Sequence, residues 1–197
     1  MLSIYLLRHG QTPYNADGNR YCGRTDVALT DKGIQQAGAV YQRLKGISLD
    51  AVYSSPLSRA RRTAELATGW EKVQTDDRLI EIDFGGWENK TREEFVAEDP
   101  GSWAGWIDDP EHSRAGNTGE SGGEVIKRLD SFFSQMMTRH AGQTILVVGH
   151  NGTNRLYMAH KLGMPLRHYR RLLQENSAIT LFELDGSGEF TLIKLNA

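Results

Sequence analysis

Two histidines follow apolar, strand-like runs in this sequence, and the first has an arginine beside it. His9 comes after the run Ile4–Leu7 and Arg8, and His150 follows the run Thr144–Gly149. A neutral imidazole nitrogen is a nucleophile near neutral pH, and a guanidinium matches phosphate oxygens in a bidentate way. A second, protonated imidazole can hydrogen-bond a phosphate oxygen as charge develops on it. These residue types favour phosphoryl transfer, in which positioning and charge stabilisation provide most of the catalysis.

Two other segments add an arginine and a choice of carboxylates. Arg59 lies where a predicted strand, 51–54, passes through a turn into a helix. The segment 78–87 contains Glu81 and Asp83 before a Gly-Gly turn. A carboxyl group there would protonate the leaving alkoxide and later deprotonate water. Alternate residues of a strand share one face, so the residues alone leave both carboxylates open for this role.

Each of these residues has a simpler interpretation when it is taken alone. Arg8 with His9 suits a solvated strand end, His150 suits a helix entry, and Arg59 suits the protein surface. A metal site is the competing use of the two histidines. Zinc sites favour close pairs such as H-E-x-x-H or C-x-x-C, which do not occur, and the neighbouring Arg8 disfavours a cation. We therefore expect no metal.

Strands alternate with helices along the chain, which predicts an α/β fold. We expect a three-layer αβα sandwich with a mostly parallel central sheet. Ligands bind beyond the carboxyl ends of strands in such sheets, and both histidines fall there. The strands are predicted at 3–8, 51–54, 72–75, 144–149, 178–184 and 189–195. The helices are predicted at 30–45, 57–68, 91–100, 124–139 and 151–162.

The stretch 85–123 interrupts this alternation and is rich in Gly, Asp, Glu and Trp. We predict a short, lid-like excursion over the carboxyl-terminal edge of the strands, within a single domain of residues 1–197. Trp103 and Trp106 either stack on a flat leaving group or pack the excursion onto the domain, and we favour packing. Arg20 and Tyr21, in a predicted loop, either touch the substrate or lie at the surface.

The charge balance argues against several classes of protein. Lys and Arg total 23 against 25 for Asp and Glu, a net charge of −2, so no basic field favours nucleic acid or a membrane surface. The single cysteine, Cys22, excludes an intramolecular disulfide framework, and we expect it to be inert. The N-terminus lacks the pattern of a secretion signal, which favours a cytoplasmic location. The oligomeric state stays open, a homodimer included.

Five blocks of the sequence, in order along the whole chain, resemble the histidine phosphatase superfamily in its phosphoglycerate-mutase-like branch. The blocks are Leu7–Thr12 with Asn15, Gly23–Thr30 with Gly33 and Gln36-Ala37, Ser54–Ala64, Leu79–Glu88, and Gly119–Ser121 with Val147–His150. The resemblance implies a phosphatase that needs neither a metal nor an organic cofactor and acts on a small-molecule phosphate ester.

The resemblance also implies a role for each matching residue. His9 would be the nucleophile that becomes phosphohistidine. Glu81 is favoured over Asp83 as the proton donor. The phosphate pocket would be formed by Arg8, Arg59 and His150, with Asn15 nearby.

The last block departs from the usual family pattern. It reads Gly149-His150-Asn151-Gly152, where the family more commonly has His-Gly with a small residue before it. Asn151 either adds a donor near the phosphate or caps the following helix, and we favour the cap. Arg155, one turn into that helix, is expected at the surface.

Among family members, the chain resembles the compact phosphatases, α-ribazole phosphatases among them, more than the longer mutases. The mutases have a larger excursion with basic residues. In this chain the only basic residues of 85–123 are Lys90, Arg92 and Arg114, together with His112. A mutase must also keep water from its intermediate, which a short lid does poorly. We predict hydrolysis of a small phosphorylated metabolite through a phosphohistidine. The alternatives are mutase-type phosphoryl transfer and a non-catalytic module that binds phosphorylated ligands.

Overall fold

The computed structural model describes residues 1–197, and a six-stranded sheet forms its centre. In chain order the strands are β1 (Leu2–Arg8), β2 (Ala51–Ser54), β3 (Gln74–Thr75), β4 (Thr144–Gly149), β5 (Ile179–Leu184) and β6 (Phe190–Lys194). Across the sheet the order is β3-β2-β4-β1-β5-β6. The first four of these pair in parallel, whereas β5 and β6 are antiparallel. The predicted mostly parallel sheet is therefore confirmed.

Helices cover both faces of this sheet. They are α1 (Pro13–Ala16), α2 (Asp31–Leu44), α3 (Ser58–Thr68), α4 (Arg92–Glu98), α5 (Pro100–Asp108), α6 (Gly122–Arg139) and α7 (Asn151–Lys161). Leu7 and Leu146 belong to the core beneath α2 and α3, whereas their neighbours Leu6 and Val147 belong to the core beneath α6 and α7. This alternation gives the three layers that the sequence predicts. No helix combines the length and apolar content that crossing a bilayer requires.

Side-chain caps explain where several helices begin. The Thr30 hydroxyl accepts a hydrogen bond from the Gly33 amide at the start of α2. Capping boxes open α4 at Thr91, as predicted, and α6 at Ser121. The Ser121 box places the start of α6 two residues before the predicted one.

Two parts of the sequence prediction are wrong. The strand alternation assumed for Glu81 and Asp83 is absent, because residues 80–84 form an extended loop between 3-10 turns at Asp77–Leu79 and Gly85–Trp87. Its amides bond to side chains rather than to a neighbouring strand; the Asp83 amide, for example, donates to Glu120. Helix α5 was not predicted, because its Gly and Trp residues give a weak helical signal and its stability comes from tertiary packing.

An aromatic cluster attaches the excursion 85–123 to the rest of the fold. Trp87 stacks on Phe95 with ring centroids 4.8 Å apart, and Tyr21, Trp103 and Trp106 surround this pair. Trp106 is only 1% exposed. The structure therefore agrees with packing, rather than substrate stacking, for the excursion tryptophans.

Candidate active site

The two histidines meet at the carboxyl ends of adjacent parallel strands. The register of β1 and β4 pairs Arg8 with Gly149, one residue before each histidine. The amide of His9 donates to the Gly149 carbonyl at 3.1 Å, which continues the ladder. The ring centroids of His9 and His150 are 5.1 Å apart, and the side chains are 5% and 0% exposed. The sheet thus brings together the two residues that the sequence places at strand ends.

His9 has the form that a nucleophile requires. Its Nδ1 lies 2.7 Å from the Gly10 carbonyl oxygen, which only accepts, so Nδ1 is assigned the hydrogen and Nε2 keeps its lone pair. Burial and the cations of Arg59 and Arg8 lower the pKa of His9 well below its usual value. A Cβ on Gly10 would lie 2.5 Å from the Gly33 carbonyl oxygen, so only glycine lets the start of α2 pack this close.

His150 is also neutral, which differs from the protonated imidazole expected from the sequence. Burial and then the Arg59 cation lower its pKa well below the usual value. Both ring nitrogens are buried, and neither has a hydrogen-bond partner in the protein. Protonation of His150 therefore requires added negative charge within reach of its ring, such as a phosphate group supplies.

Two buried arginines accompany the histidines. Arg8 donates from Nη1 to the Gln174 carbonyl at 2.8 Å, and burial together with Arg155 lowers its pKa to about 10. Arg59 is 0% exposed and donates to the carbonyls of Thr25 and Gly23 at 2.8 and 2.7 Å. The Nε of each arginine has no partner. Arg59 therefore supplies positive charge to both rings while it also holds the loop 22–25.

Glu81 is held by the N-terminus of α7. Its Oε2 accepts from the Gly152 amide at 3.0 Å, and its Oε1 accepts from the amides of Thr153 and Ile82 at 3.0 and 2.9 Å. A Cβ on Gly152 would lie 2.8 Å from Glu81 Oε1, so glycine leaves the room that this contact requires. The buried carboxylate is thereby fixed next to the strand ends.

Asp83, the rival carboxylate, lies elsewhere. Its side chain is 42% exposed and accepts from the Gly85 amide at 2.9 Å. Because the segment is a loop, only Glu81 turns toward α7. The structure therefore distinguishes the two carboxylates, which strand alternation could not do.

A cavity of about 390 Å³ opens in front of these groups. Arg59 and His150 are fully buried and lie behind its wall rather than on it. The sequence-predicted residues that line it are Arg8, His9, Asn15, Arg20, Tyr21, Glu81 and Asn151. The basic residues of the excursion do not line it; Lys90, Arg92, Arg114 and His112 pair with Glu98, Glu93, Glu124 and Asp109.

The predicted cap by Asn151 is wrong. His150 occupies the N-cap position of α7, and Asn151 is the first helical residue. The amides that a cap would satisfy, those of Gly152 and Thr153, already donate to Glu81. Asn151 lines the cavity instead, and its buried Oδ1 has no partner.

Three other candidates are engaged in protein contacts at the cavity. Asn15 Oδ1 accepts from the Thr12 amide at 3.1 Å and closes the capping box of α1. Arg20 pairs with Asp17 and Glu94 at 2.8 and 2.7 Å. The Tyr21 hydroxyl accepts from Arg170 Nη2 at 2.9 Å.

Sequence reasoning missed two arginines of the cavity wall, Arg155 and Arg170. Arg155 was expected at the surface, but its Nε donates to the Asn151 carbonyl at 3.2 Å, one helical turn back. Residues four apart share a helix face, so its spacing from Asn151 was an available signal. Arg170 lies in the 3-10 turn Leu166–Arg171, whose basic neighbours give it no distinguishing pattern.

Cys22 also lines the cavity. Burial raises the pKa of the Cys22 thiol to about 11, which agrees with an inert cysteine. No group of three or more His, Cys, Asp or Glu side chains has an arrangement that could hold a metal ion.

Comparison with known proteins assigns nearly the whole chain to one family. A model described as "Histidine phosphatase superfamily (branch 1)" matches residues 4–197. Phosphoserine phosphatase 1 of Hydrogenobacter thermophilus is 32% identical over 198 residues, which cover 100% of this chain and 92% of that protein. The adenosylcobalamin/alpha-ribazole phosphatase of Escherichia coli is 34% identical over 174 residues, covering 86% of this chain and 85% of that protein.

A solved structure extends this similarity to three dimensions. The crystal structure of a phosphoserine phosphatase mutant from Entamoeba histolytica, in complex with phosphoserine, has a TM-score of 0.90 and 30% identity. The match covers 100% of this chain and 98% of that one. The sheet, both helical layers and the aromatic excursion all fall within the matched region.

Proposed function

Since this chain belongs to branch 1 of the histidine phosphatase superfamily and is a phosphatase of that family, we propose that it hydrolyses a small phosphomonoester through a phosphohistidine on His9. The observation that carries this proposal is the neutral, buried His9 with its Nε2 lone pair free. It lies beside Arg8 and His150 at the ends of parallel strands. A cationic site around one nucleophile is sufficient for phosphoryl transfer.

The first step forms the phosphoenzyme. His9 Nε2 attacks the phosphorus, and the bond from phosphorus to the ester oxygen breaks. Glu81, in its protonated form, gives its proton to the departing alkoxide. The guanidinium groups of Arg8 and Arg59 stabilise the charge on the phosphoryl oxygens, and His150 takes up a proton as the dianion arrives.

The second step releases phosphate. Water attacks the phosphohistidine, Glu81 accepts a proton from that water, and the nitrogen–phosphorus bond breaks to return neutral His9. Asn15 and Asn151 line the cavity and offer polar atoms to the phosphoryl group or to the alcohol part of the ester. No step requires a metal or an organic cofactor.

The natural substrate is a small phosphorylated metabolite. The resemblance to compact phosphatases makes an α-ribazole phosphate one candidate, and one relative carries the name of that activity. A relative of full coverage is named a phosphoserine phosphatase, and a similar structure is described as holding phosphoserine. We keep both as candidates. We also keep the cytoplasmic location that the sequence favours.

Mutase-type phosphoryl transfer is the second candidate, and one observation favours it. Arg155 and Arg170 provide cations on the cavity wall that the excursion 85–123 does not. A mutase requires such residues to hold a charged substrate while the phosphoryl group moves. The non-catalytic alternative has less support, because a silent relative does not need both His9 and Glu81 in reactive positions.

The test is phosphate release with EDTA present across a panel of esters. The panel holds α-ribazole 5′-phosphate, phosphoserine, 3-phosphoglycerate, fructose 2,6-bisphosphate, nucleotides and p-nitrophenyl phosphate, with wild type and His9→Ala. Acid-quenched enzyme is examined for an acid-labile phosphohistidine. Hydrolysis that depends on His9, with a trapped intermediate, would support the proposal. Hydrolysis that persists in His9→Ala would refute the mechanism. Transfer between two phosphoglycerate positions without phosphate release would favour the mutase.

A further inference from the structure

Arg155 presents an incompletely bonded guanidinium to the cavity. Its Nε donates to the Asn151 carbonyl, and its two terminal nitrogens have no hydrogen-bond acceptor in the protein. The guanidinium carbon lies 5.2 Å from the centroid of the Tyr169 ring. The side chain forms no ion pair with a carboxylate. A partly buried cation in this state lacks the partner that normally offsets its desolvation.

Arg170 is held in one orientation beside it. Its guanidinium carbon lies 4.1 Å from the centroid of the Trp103 ring, and its Nε and Nη2 donate to the hydroxyls of Tyr169 and Tyr21 at 3.1 and 2.9 Å. These contacts leave Nη1 without a protein acceptor. Burial raises the pKa of Tyr21, so that hydroxyl is a neutral partner. These three aromatic and hydrogen-bonding contacts thus orient Arg170 without neutralising its charge.

This pair extends the positive charge of the phosphate pocket along the cavity wall, because the Arg155 cation contributes to the lowered pKa of Arg8. The cations that lower the pKa of His9 are Arg59 and Arg8, and Arg155 is not among them. Arg155 and Arg170 both contact Tyr169, whose ring centroid lies 5.2 Å from the Arg155 guanidinium carbon and whose hydroxyl accepts from Arg170 Nε at 3.1 Å. Burial and the neighbouring Arg170 cation lower the pKa of Arg155.

No carboxylate of the cavity wall forms an ion pair with Arg155 or Arg170, although the Glu81 charge partly offsets the lowering of the Arg155 pKa. Arg20 is already paired with Asp17 and Glu94. Among the carboxylates, Glu81 is bonded to the amides of α7, and Glu175 is exposed and forms no ion pair. A second concentration of positive charge therefore lies along the same cavity, beyond Arg8.

We propose that Arg155 and Arg170 form a second anion subsite, which binds a negatively charged group on the alcohol part of the phosphomonoester. This inference rests on the proposed function and narrows its substrate class. The substrate carries two anionic groups, the phosphate and a carboxylate or second phosphate, rather than a neutral, flat leaving group. The free nitrogens of the two guanidinium groups give the forked geometry that suits carboxylate and phosphate oxygens.

Matched pairs of esters test the subsite in the wild-type enzyme. 3-Phosphoglycerate and glycerol 3-phosphate differ by a carboxylate in place of a hydroxymethyl group. Phosphoserine and phosphoethanolamine differ by a carboxylate in place of hydrogen. Fructose 2,6-bisphosphate and fructose 6-phosphate test a phosphate as the second anion. We expect the doubly anionic member of at least one pair to have kcat/KM higher by about 10-fold or more, the effect of one charged hydrogen bond.

Variants then assign the preference to the two arginines. Arg155→Gln should reduce the preference within that pair to about threefold or less, because a single neutral amide replaces the fork. Arg170→Gln should do the same. Since Arg170 also packs on Trp103, Arg155→Gln is the decisive variant. Arg62→Gln is the matched control, because Arg62 is an exposed arginine of α3 that pairs with Glu65. The control should keep the wild-type preference.

The outcomes separate this inference from the proposed function. Equal kcat/KM within all three pairs, or a preference that survives Arg155→Gln, would overturn the subsite while His9-dependent hydrolysis still stood. If no ester is hydrolysed, the proposed function fails. Calorimetry then measures the affinity of the His9→Ala protein for the same pairs of esters, which tests the subsite without turnover. Tighter binding of the doubly anionic member would support it, and equal binding would overturn it.

Discussion

His9 and His150 face each other across the β1–β4 ladder, with ring centroids 5.1 Å apart and ring planes inclined at 60°. The strand register determines this separation, because the residues before them, Arg8 and Gly149, are direct partners in a parallel pair. Both rings are buried and neutral. This placement suits the proposed division of tasks, in which His9 is the nucleophile and His150 binds the anion as it takes up a proton.

The first prediction concerns the nucleophile. His9→Ala should lower kcat toward any phosphomonoester by at least about 10³-fold, as expected when a covalent nucleophile is removed. The fold should persist, because His9 follows the last residue of β1 and the ladder bonds are made by backbone atoms. Circular dichroism and steady-state phosphate release measure both effects. His112→Ala removes an exposed histidine and should retain wild-type rates. Comparable rates in the two variants would exclude His9 as the nucleophile.

The second prediction concerns the proton donor. Glu81→Gln should slow alkyl phosphates by about 10²-fold or more and p-nitrophenyl phosphate far less, because p-nitrophenolate needs little protonation. The amide also places an NH₂ group against backbone amides that now donate to the carboxylate. The free energy of unfolding should therefore fall by about 1–3 kcal/mol, the cost of an unsatisfied buried donor.

Asp83→Asn is the control for Glu81, because it alters the rival carboxylate, which lies outside the cavity lining. It should leave the ratio of alkyl to aryl ester rates at the wild-type value. A leaving-group dependence that appears in Asp83→Asn rather than in Glu81→Gln would transfer the role to Asp83.

Local sequence patterns predicted much of the fold, and with it the histidines and Arg8. Apolar runs identify β1 and β4, and polar residues at their carboxyl ends meet by the general geometry of parallel sheets. The position of Glu81 relative to Asp83 was not predictable in this way. It depends on a loop whose amides bond to side chains and on the N-terminus of α7, which is distant in sequence.

Arg155 and Arg170 illustrate the other limit of sequence reasoning. An arginine one turn into a helix, or in a basic turn, has the same local pattern at the surface as on a cavity wall. Their placement depends on Trp103, Tyr169 and Tyr21, which converge only in the folded chain. The family resemblance supplied the roles of Arg59 and Glu81, which the residues alone left open.

The third prediction is the pH dependence of anion binding. With protein groups alone around it, His150 has a pKa well below 6.5, lowered by burial and by the cations of Arg59, Arg128 and Arg8. A bound dianion favours the protonated ring, so binding takes up a proton. Sulfate, whose charge is constant in this range, should therefore bind more tightly as pH falls from 7 to 5, by up to about tenfold per unit for each proton.

Competitive inhibition by sulfate measures this dependence. His150→Gln should flatten it, because an amide cannot take up the proton, whereas His112→Ala should retain it. His9 is the other ring whose pKa is depressed here, so His9→Gln measures its share of the uptake. Sulfate affinity that weakens as pH falls, or a slope that is unchanged in both variants, would contradict proton uptake by these rings.

The fourth prediction is that chelators leave the activity intact. No cluster of metal-ligating side chains surrounds the cavity, and in the proposed mechanism guanidinium groups stabilise the charges on the phosphoryl oxygens. Incubation with excess EDTA, followed by desalting, should leave kcat/KM within experimental error of the untreated enzyme. Loss of activity that added divalent metal restores would return the two histidines to the role of metal ligands.

The fifth prediction concerns Arg59, which serves both the loop 22–25 and the histidines. Arg59→Met preserves much of the side-chain volume but removes the guanidinium donors to the buried carbonyl of Gly23 and the partly buried carbonyl of Thr25. The free energy of unfolding should fall by about 3 kcal/mol, since each unsatisfied carbonyl costs about 1–3 kcal/mol. Urea unfolding measures this loss. Arg62→Met, on an exposed position of the same helix, should cost far less.

The same substitution should move the titration of both rings. The Arg59 cation lowers the pKa of His9 and of His150, so its removal should raise both values toward 6.5. A higher pKa protonates the nucleophile at a higher pH, so the acid limb of kcat/KM should shift upward as well. NMR titration of the ring protons and a pH–rate profile measure these shifts. If the stability falls but neither ring titration nor acid limb moves, Arg59 acts only as a support for the loop. If the stability, the ring titrations and the acid limb change together, the buried Arg59 guanidinium couples the fold of the loop 22–25 to the protonation state of His9.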